Sequence, residues 1–202
     1  MDLSRPYADL IPGSRGSLLA ALVQLEAPVS VRALARHAGA SAQGALLIVN
    51  ELSDSGLVFA ERAGSALMVS LNRQHLAAEP LAALVGIRGR LIERLRKDVS
   101  EIPGAAGAWL FGSAARGDGG RSSDVDLLLV ADRSIDDAGW IEATDRLRER
   151  VGLWTGNDVQ LVEHTRSSFT RLVNSANPLV EALRGYGIPL THGSRALLRT
   201  AA

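Results

Sequence analysis

The sequence contains no cysteine, no excess charge of either sign and no long apolar run. The absence of cysteine excludes disulfides and thiolate zinc sites, and a cytoplasmic location is therefore expected. Lys plus Arg and Asp plus Glu each number 22, so the whole-chain charge does not argue for or against a nucleic-acid partner. Apolar runs such as residues 127–131 are far too short to span a bilayer, and the N-terminus lacks a signal-peptide pattern. No membrane partner is expected.

What is present is the composition of an ordinary globular protein, 47% hydrophobic and 22% charged. A chain of 202 residues predicts one or two domains. The histidines are scattered and show no metal-ligand spacing. The patterning divides the chain into a first domain over residues 1–73, a helical connector over 74–103 and a second domain over 104–202.

The first domain shows the pattern of three helices followed by a hairpin. Leucines within residues 17–25 share one helical face. Ser30 and Ser41 each precede an apolar segment of helical period, and both are typical N-cap residues. Residues 57–62 and 66–71 alternate apolar and polar side chains like paired strands.

That order resembles winged-helix regulators of the MarR or ArsR kind, on the stretch VSVRALARHAGASAQGALLIVNELSDSGLVFAER. The resemblance implies double-stranded DNA as a partner, read by the third helix, and a homodimer as the default assembly. We expect four residues to contact DNA: Ser41, Gln43, Asn50 and Arg62. Because this face is weakly basic, the alternative is a domain that only packs or dimerises.

The connector keeps apolar side chains at helical spacing and predicts one long helix or two. A break is expected at Pro80 or within residues 86–89. Residues 88–97 form a basic stretch, which we interpret as a solvated helix face.

The second domain alternates strands and helices, which predicts an α/β fold with a small mixed sheet flanked by helices. A near-continuous apolar strand is expected over residues 125–131. A helix is expected over residues 135–151, with Ile141, Leu147 and Val151 on its core side.

The most informative stretch pairs Gly112-Ser113 with Asp124 and Asp126, and ten residues lie between Ser113 and Asp124. Glycine at the end of a strand allows close approach to a ligand, and the N–H groups that open the next helix favour phosphate. The period of two along a strand points both carboxylates to one face, where their repulsion favours a shared cation. Hard oxygen ligands beside phosphate suit magnesium.

These residues resemble the Gly-Ser…Asp-x-Asp signature of the DNA polymerase beta-type nucleotidyltransferase superfamily, in particular its minimal branch. The resemblance implies transfer of an NMP from an NTP, with ATP expected, to an acceptor, using Mg²⁺. It implies metal ligands and nucleotide-binding residues as follows: Asp124 and Asp126 for the metal; Gly112, Ser113, Arg116 and Ser123 for the nucleotide. For Arg116 the alternative is plain surface charge.

The sequence departs from the family at the third carboxylate, where it has Gln160. A neutral amide binds magnesium poorly and does not accept a proton from the nucleophile. Asp158, two residues earlier, is expected to project to the same face and is our predicted catalytic base. The alternative is a site without a base.

Three functions therefore stay open. The first is a nucleotidyltransferase whose acceptor is a protein side chain, an RNA end or a small molecule. The second is a winged-helix transcriptional regulator whose transferase domain senses a nucleotide without turnover. The third is an antitoxin-type nucleotidyltransferase with a toxin partner. Gln160 favours the second function, and the intact aspartate pair favours the first.

Overall fold

The computed structural model describes residues 1–175 and 177–199. The chain divides into two compact units: an N-terminal unit, Arg5–Ile87, and a C-terminal unit, Met1–Ser4 with Arg88–Ala202. The expected connector is divided between them, because helix α4 lies in the first unit and almost all of helix α5 in the second. The break falls at Gly86, the C-cap of α4.

The N-terminal unit contains a short 3₁₀ helix, four α-helices and a three-stranded antiparallel sheet of order β1-β3-β2. Its elements are Pro6–Asp9, α1 Gly13–Gln24, β1 Val29–Ser30, α2 Val31–His37, α3 Ala42–Asp54, β2 Val58–Ala63, β3 Ala66–Leu71 and α4 Ala78–Val85. The predicted N-caps are confirmed: the hydroxyl of Ser30 accepts from the N–H of Ala33, and that of Ser41 from Gly44. Strand β1 was not predicted, since two residues give no alternation.

Leucine and valine side chains from α1, α2, α3 and the hairpin form the core of this unit. Leu18, Leu34 and Val49 are fully buried within it. Burial of each such side chain contributes roughly 1.5–3 kcal/mol. Several large apolar side chains nevertheless remain exposed, among them Leu47 on α3 at 60% and Phe59 on β2 at 55%.

The C-terminal unit is built on a four-stranded sheet of order β6-β5-β4-β7. Strands β5 and β6 are parallel and the other pairs antiparallel, which confirms the predicted mixed sheet. Its elements are α5 Ile87–Ser100, β4 Ala105–Phe111, α6 Gly112–Arg116, β5 Val125–Ala131, α7 Ala138–Thr155, β6 Val159–Thr165, α8 Arg166–Val173, α9 Pro178–Gly185, β7 Ile188–Pro189 and α10 Ser194–Leu197.

The helix predicted over residues 135–151 is wrong at both ends. Helix α7 begins after Asp137, whose carboxylate caps it, and it ends at Gly156 in the left-handed conformation. Ile141 was placed in the core but is 47% exposed. The core stripe runs instead through Trp140, Thr144, Leu147 and Val151, so Ile141 lies one position off it.

Strand β5 is the centre of this unit and is covered on both faces. Leu127 and Leu129 pack toward α5 and α7, while Leu128 and Val130 pack toward Phe169 and the other helices. All four β5 side chains are fully buried, which explains the near-continuous apolar run. The strand is therefore a rigid support for Asp126, which lies near its start. No helix in the described part of the chain is long and apolar enough to cross a membrane.

Candidate nucleotide and metal site

The Gly112 backbone and the Asp126 carboxylate lie against each other. Strand β4 ends at Phe111, which pairs with Asp126 in the antiparallel register of β4 and β5. Gly112 then turns the chain with a φ of +64°. A Cβ at this position would lie 1.9 Å from Oδ2 of Asp126. Only glycine allows this turn and this approach together.

Helix α6 begins at Gly112 and has five residues, so the predicted helix after the glycine–serine bend is present but short. Its first N–H groups have no partner within the helix, as at any helix start. Gly117 ends it in the left-handed conformation and donates its N–H to the carbonyl of Ser113. The bend is thus a single tight turn of helix that starts against Asp126 and carries Ser113 as its second residue.

Asp124 and Asp126 are both half-buried, on either side of the fully buried Val125. Burial raises the pKa of Asp126, the negative charge of Asp124 raises it further, and Arg116 lowers it. The carboxylates therefore lie close enough to repel each other. A divalent cation between them would remove this repulsion.

Magnesium fits this donor set. It takes one or two protein carboxylates and completes its shell with water and substrate phosphate oxygens. No group of three or more His, Cys, Asp or Glu side chains gathers as a metal site within residues 1–175 and 177–199. A magnesium ion at this place would therefore take its protein carboxylates from the aspartate pair and the rest of its shell from water and phosphate oxygens.

Gln160 occupies the rung of the sheet beside Asp126, since β5 and β6 pair in parallel with Asp126 opposite Gln160. Its amide donates to Oδ2 of Asp124 at 3.3 Å. Asp158 precedes β6, and its carbonyl accepts from the N–H of Val125 at 2.8 Å. The exposed side chains of Asp158 and Gln160 line a cleft of about 490 Å³ with polar residues of α7.

Arg116, at the end of α6, is exposed and engaged by two neighbours. Its Nε donates to Oδ2 of Asp118 at 3.0 Å, and its guanidinium lies 5.0 Å from the centre of the Tyr186 ring. These contacts hold the positive charge next to the bend. Tyr186 was not singled out from the sequence, because it follows α9, about seventy residues further along the chain.

Ser123 closes a turn in the loop before Asp124. Its hydroxyl accepts from the N–H of Gly120 at 3.0 Å, and its own N–H donates to the Gly120 carbonyl at 3.1 Å. Gly119 packs over the bend, since a Cβ there would lie 2.9 Å from the hydroxyl of Ser113. The loop and the bend are therefore fitted to each other.

Asn157 anchors this loop and was missed by the sequence reasoning. It is 7% exposed. Its amide donates to the carbonyl oxygens of Ser123 at 2.8 Å and Met1 at 3.1 Å, with a longer contact to Arg121 at 3.3 Å. No local pattern marks such a residue, because its partners lie more than thirty positions away.

Arg88 supports the helix that opens the site. Its Nε donates to the carbonyl of Ala114 at 2.9 Å and its Nη2 to that of Ala115 at 2.5 Å. The basic stretch was interpreted as a solvated face, and that interpretation is wrong for this half-buried arginine. Helix C-terminal carbonyls attract cations, and Arg88 satisfies two of them.

The residues predicted to contact DNA lie in the N-terminal unit. Ser41, Gln43 and Asn50 are exposed on or before α3, and Arg62 is exposed on β2. The hydroxyl of Ser41 already accepts a hydrogen bond as the N-cap. Leu46 and Leu47 are exposed on the same helix, so its solvent side is partly apolar.

Comparison with known proteins finds one family model that matches part of the chain. Residues 92–174 match the family model described as the nucleotidyltransferase domain. This range contains the bend, both aspartates, Gln160 and Asp158. No curated protein matches the chain.

Among solved structures, three similar ones share about half of this chain. Two are mutants of the toxin–antitoxin MntA–HpeT. The first is 22% identical in sequence, and the match covers 55% of this chain and 80% of that one with a TM-score of 0.36. The second is 23% identical, and the match covers 54% of this chain and 76% of that one with a TM-score of 0.35. The third is a toxin–antitoxin with AMP-PNP. It is 25% identical in sequence, and the match covers 54% of this chain and 76% of that one with a TM-score of 0.35.

Proposed function

We propose that the protein is a magnesium-dependent nucleotidyltransferase that moves an NMP, with ATP as the expected donor, onto an acceptor nucleophile. The observation that carries this proposal is the contact between the Gly112 backbone and the Asp126 carboxylate. It brings the two halves of the sequence motif to one place, although the halves are separated by a loop. The nucleotidyltransferase domain match over the same residues supports it.

Asp124 and Asp126 would hold Mg²⁺, which neutralises the phosphate charge and positions the triphosphate. The backbone of Gly112 and the hydroxyl of Ser113 would bind phosphate oxygens. Arg116 would add positive charge after exchanging Asp118 for phosphate.

In the transfer, the acceptor oxygen forms a bond to the α-phosphorus. The bond from that phosphorus to the α–β bridging oxygen breaks, and pyrophosphate leaves. Asp158, immediately before β6, would accept the proton of the acceptor.

The proposal is tested with α-labelled ATP, magnesium and cell extract from the source organism. We expect label on a macromolecule or small product with the native protein, and a loss of about a thousandfold or more with Asp124→Asn/Asp126→Asn. Asparagine keeps the side-chain shape, so a matched circular dichroism melt excludes misfolding as the cause. Equal labelling by the variant would overturn the proposal.

The catalytic role of Asp158 has its own control. Asp158→Asn should lower the rate about 100-fold or more while leaving binding of a non-hydrolysable ATP analogue unchanged. Asp145→Asn, in the same cleft on α7, should change neither. If both variants keep full activity, Asp158 is not the base.

A second candidate function is a winged-helix regulator that binds nucleotide without transferring it, and Gln160 favours it. An amide stands on the rung where a carboxylate would be needed, and it donates to Asp124 instead of accepting a proton. The order of helices α1–α3 and the β2–β3 hairpin supports a DNA-binding unit. The protein should then shift its own promoter DNA in an ATP-dependent manner and leave α-labelled ATP intact. Label transfer without any shift would exclude this function.

A further inference from the structure

The C-terminal unit contains a second cleft, of about 820 Å³, outside the site described above. The end of α5, the start of β4 and the segment around β7 and α10 enclose it. Its lining residues are Arg96, Lys97, Val99, Ser100, Ile102, Ala105, Pro189, Leu190, Thr191, His192 and Arg195. It lies at the opposite end of β4 from Gly112, roughly 20 Å away at about 3.3 Å per residue.

The rim of this cleft is positively charged. Arg96, Lys97 and Arg195 line it together with His192, and all four are exposed. The lining contains no carboxylate. Arg96 and Arg195 form no ion pair within the described part of the chain. Lys97 interacts electrostatically with the adjacent Asp98. In a chain with zero net charge, Arg96, Lys97 and Arg195 are a local concentration of positive charge.

The floor of the cleft is apolar. Val99, Ile102 and Leu190 are buried beneath it, and the hydroxyl residues Ser100 and Thr191 stand at its edge. A cleft with an apolar floor and a few convergent polar groups is the usual form of a small-molecule site, for which volumes are about 300–1,000 Å³. Inorganic phosphate alone would leave most of the space unfilled.

We propose that this cleft binds a small phosphorylated ligand of nucleotide size, with its phosphates on the arginines and its organic part on the apolar floor. Arginine is the side chain best suited to phosphate, because its fork donates two parallel hydrogen bonds. No Phe, Tyr or Trp side chain lines the cleft. The stacking platforms typical of single-stranded nucleic acid sites are therefore missing, which favours a small ligand over a polymer.

Binding is tested on full-length Asp124→Asn/Asp126→Asn protein in EDTA, which removes metal-dependent binding at the aspartate pair. Titration calorimetry with ATP and with AMP should show one saturable site. Adding Arg96→Ala/Arg195→Ala should weaken it about tenfold or more, since two charge-assisted contacts are lost. Arg90→Ala/Arg171→Ala removes the same charge from exposed positions outside the cleft and should change affinity less than about twofold.

An NMR titration locates the ligand without relying on any cleft variant. Amide shifts in residues 190–195 and 96–100 support the proposal, and shifts confined to residues 111–126 overturn it. Failure of both nucleotides to bind also overturns it, as does equal weakening by the control pair. Tighter binding of a ten-nucleotide single strand than of ATP would identify a polymer surface instead. Because the binding is metal-free, its outcome is independent of whether the protein transfers nucleotides.

Discussion

The bend at Gly112 and the exposed face of α3 were both predicted from short sequence patterns, but they differ in how closely their residues are packed. At the bend, two segments meet so closely that a Cβ would lie 1.9 Å from a carboxylate oxygen. On α3, the polar side chains of Gln43 and Asn50 share the solvent side with Leu46 and Leu47. Close packing at the bend restricts which residue types can occupy positions 112 and 126. The exposed face of α3 places no such restriction on its positions.

This difference in packing shows which kind of sequence pattern predicts a functional site. A pattern with one period specifies which side of a helix is buried, and α3 satisfies it through Ala45, Val49 and Leu52. It does not specify what the other side does. Two motifs that must meet in space restrict each other, so a match at both carries much more information.

The largest effect is expected at the bend itself. Gly112→Ala places a methyl group against Asp126 and forces an L-residue to a φ of +64°. We expect affinity for magnesium and a non-hydrolysable ATP analogue to fall about 100-fold, with about 1–3 kcal/mol lost from the free energy of unfolding. Calorimetry and urea unfolding measure the two effects.

Gly104→Ala is the matched control for that variant. Gly104 has a φ of +77°, and a Cβ added there would meet no atom within 4 Å. It should lose only the stability that the positive φ costs, and it should keep full nucleotide affinity. Equal affinities for the two variants would show that the bend does not form the nucleotide site.

The next effect concerns the arginine that supports α6. Arg88→Ala leaves the carbonyls of Ala114 and Ala115 without their charged donor and should cost about 1.5–3 kcal/mol of unfolding free energy. Nucleotide affinity should fall with it, because α6 carries Ser113. Arg90→Ala, exposed two residues further on, should cost less than about 0.5 kcal/mol. Equal unfolding curves would mean that α6 does not need this support.

The third-largest effect is expected when Asn157, which anchors the loop before Asp124, is replaced. Asn157→Ala removes the buried amide that donates to the half-buried carbonyl of Ser123 and should cost about 1–3 kcal/mol of unfolding free energy. Hydrogen exchange should speed up in residues 119–124, ahead of Asp124. The exposed Asn174 at the end of α8 provides the comparison, and its alanine variant should leave that loop protected. Unchanged exchange in Asn157→Ala would remove this residue from the account of the site.

The smallest effect on stability is expected on α3. Gln43→Ala/Asn50→Ala should leave the unfolding free energy within about 0.5 kcal/mol, because both side chains are exposed. If α3 reads DNA, the same variant should weaken promoter binding about tenfold or more in a mobility shift. Leu47→Ala, on the same solvent side, should leave promoter binding unchanged. If only Leu47→Ala weakens promoter binding, the solvent side of α3 contacts protein and does not read DNA.

Much of the fold followed from the sequence because its signals are local. The caps at Ser30 and Ser41, the hairpin and the buried run of β5 depend on neighbours a few residues away. The boundaries of α7 did not, since an Asp137 cap and a left-handed Gly156 override the periodicity that suggested residues 135–151. Ile141 shows the same limit: one position separates the buried stripe from solvent.

In the site, the predicted chemistry came from Gly112, Ser113 and the aspartates, which are recognisable by type and spacing. The residues that keep them in place are not, because Arg88 and Asn157 act through backbone carbonyls that any sequence provides. Gly119 is a similar case, since its role is visible only when Ser113 is seen beside it. Long-range contacts of this kind require the folded chain.

The parallel pairing of β5 with β6 has a further consequence. It makes position 160 the lateral neighbour of position 126, so one side chain can be exchanged without disturbing the glycine turn or its loop. An amide there restrains Asp124, and a carboxylate there would add a third anion and a proton acceptor. Gln160→Asp would therefore place a carboxylate on the strand beside Asp126, and its effect on transfer can be measured separately from its effect on nucleotide affinity.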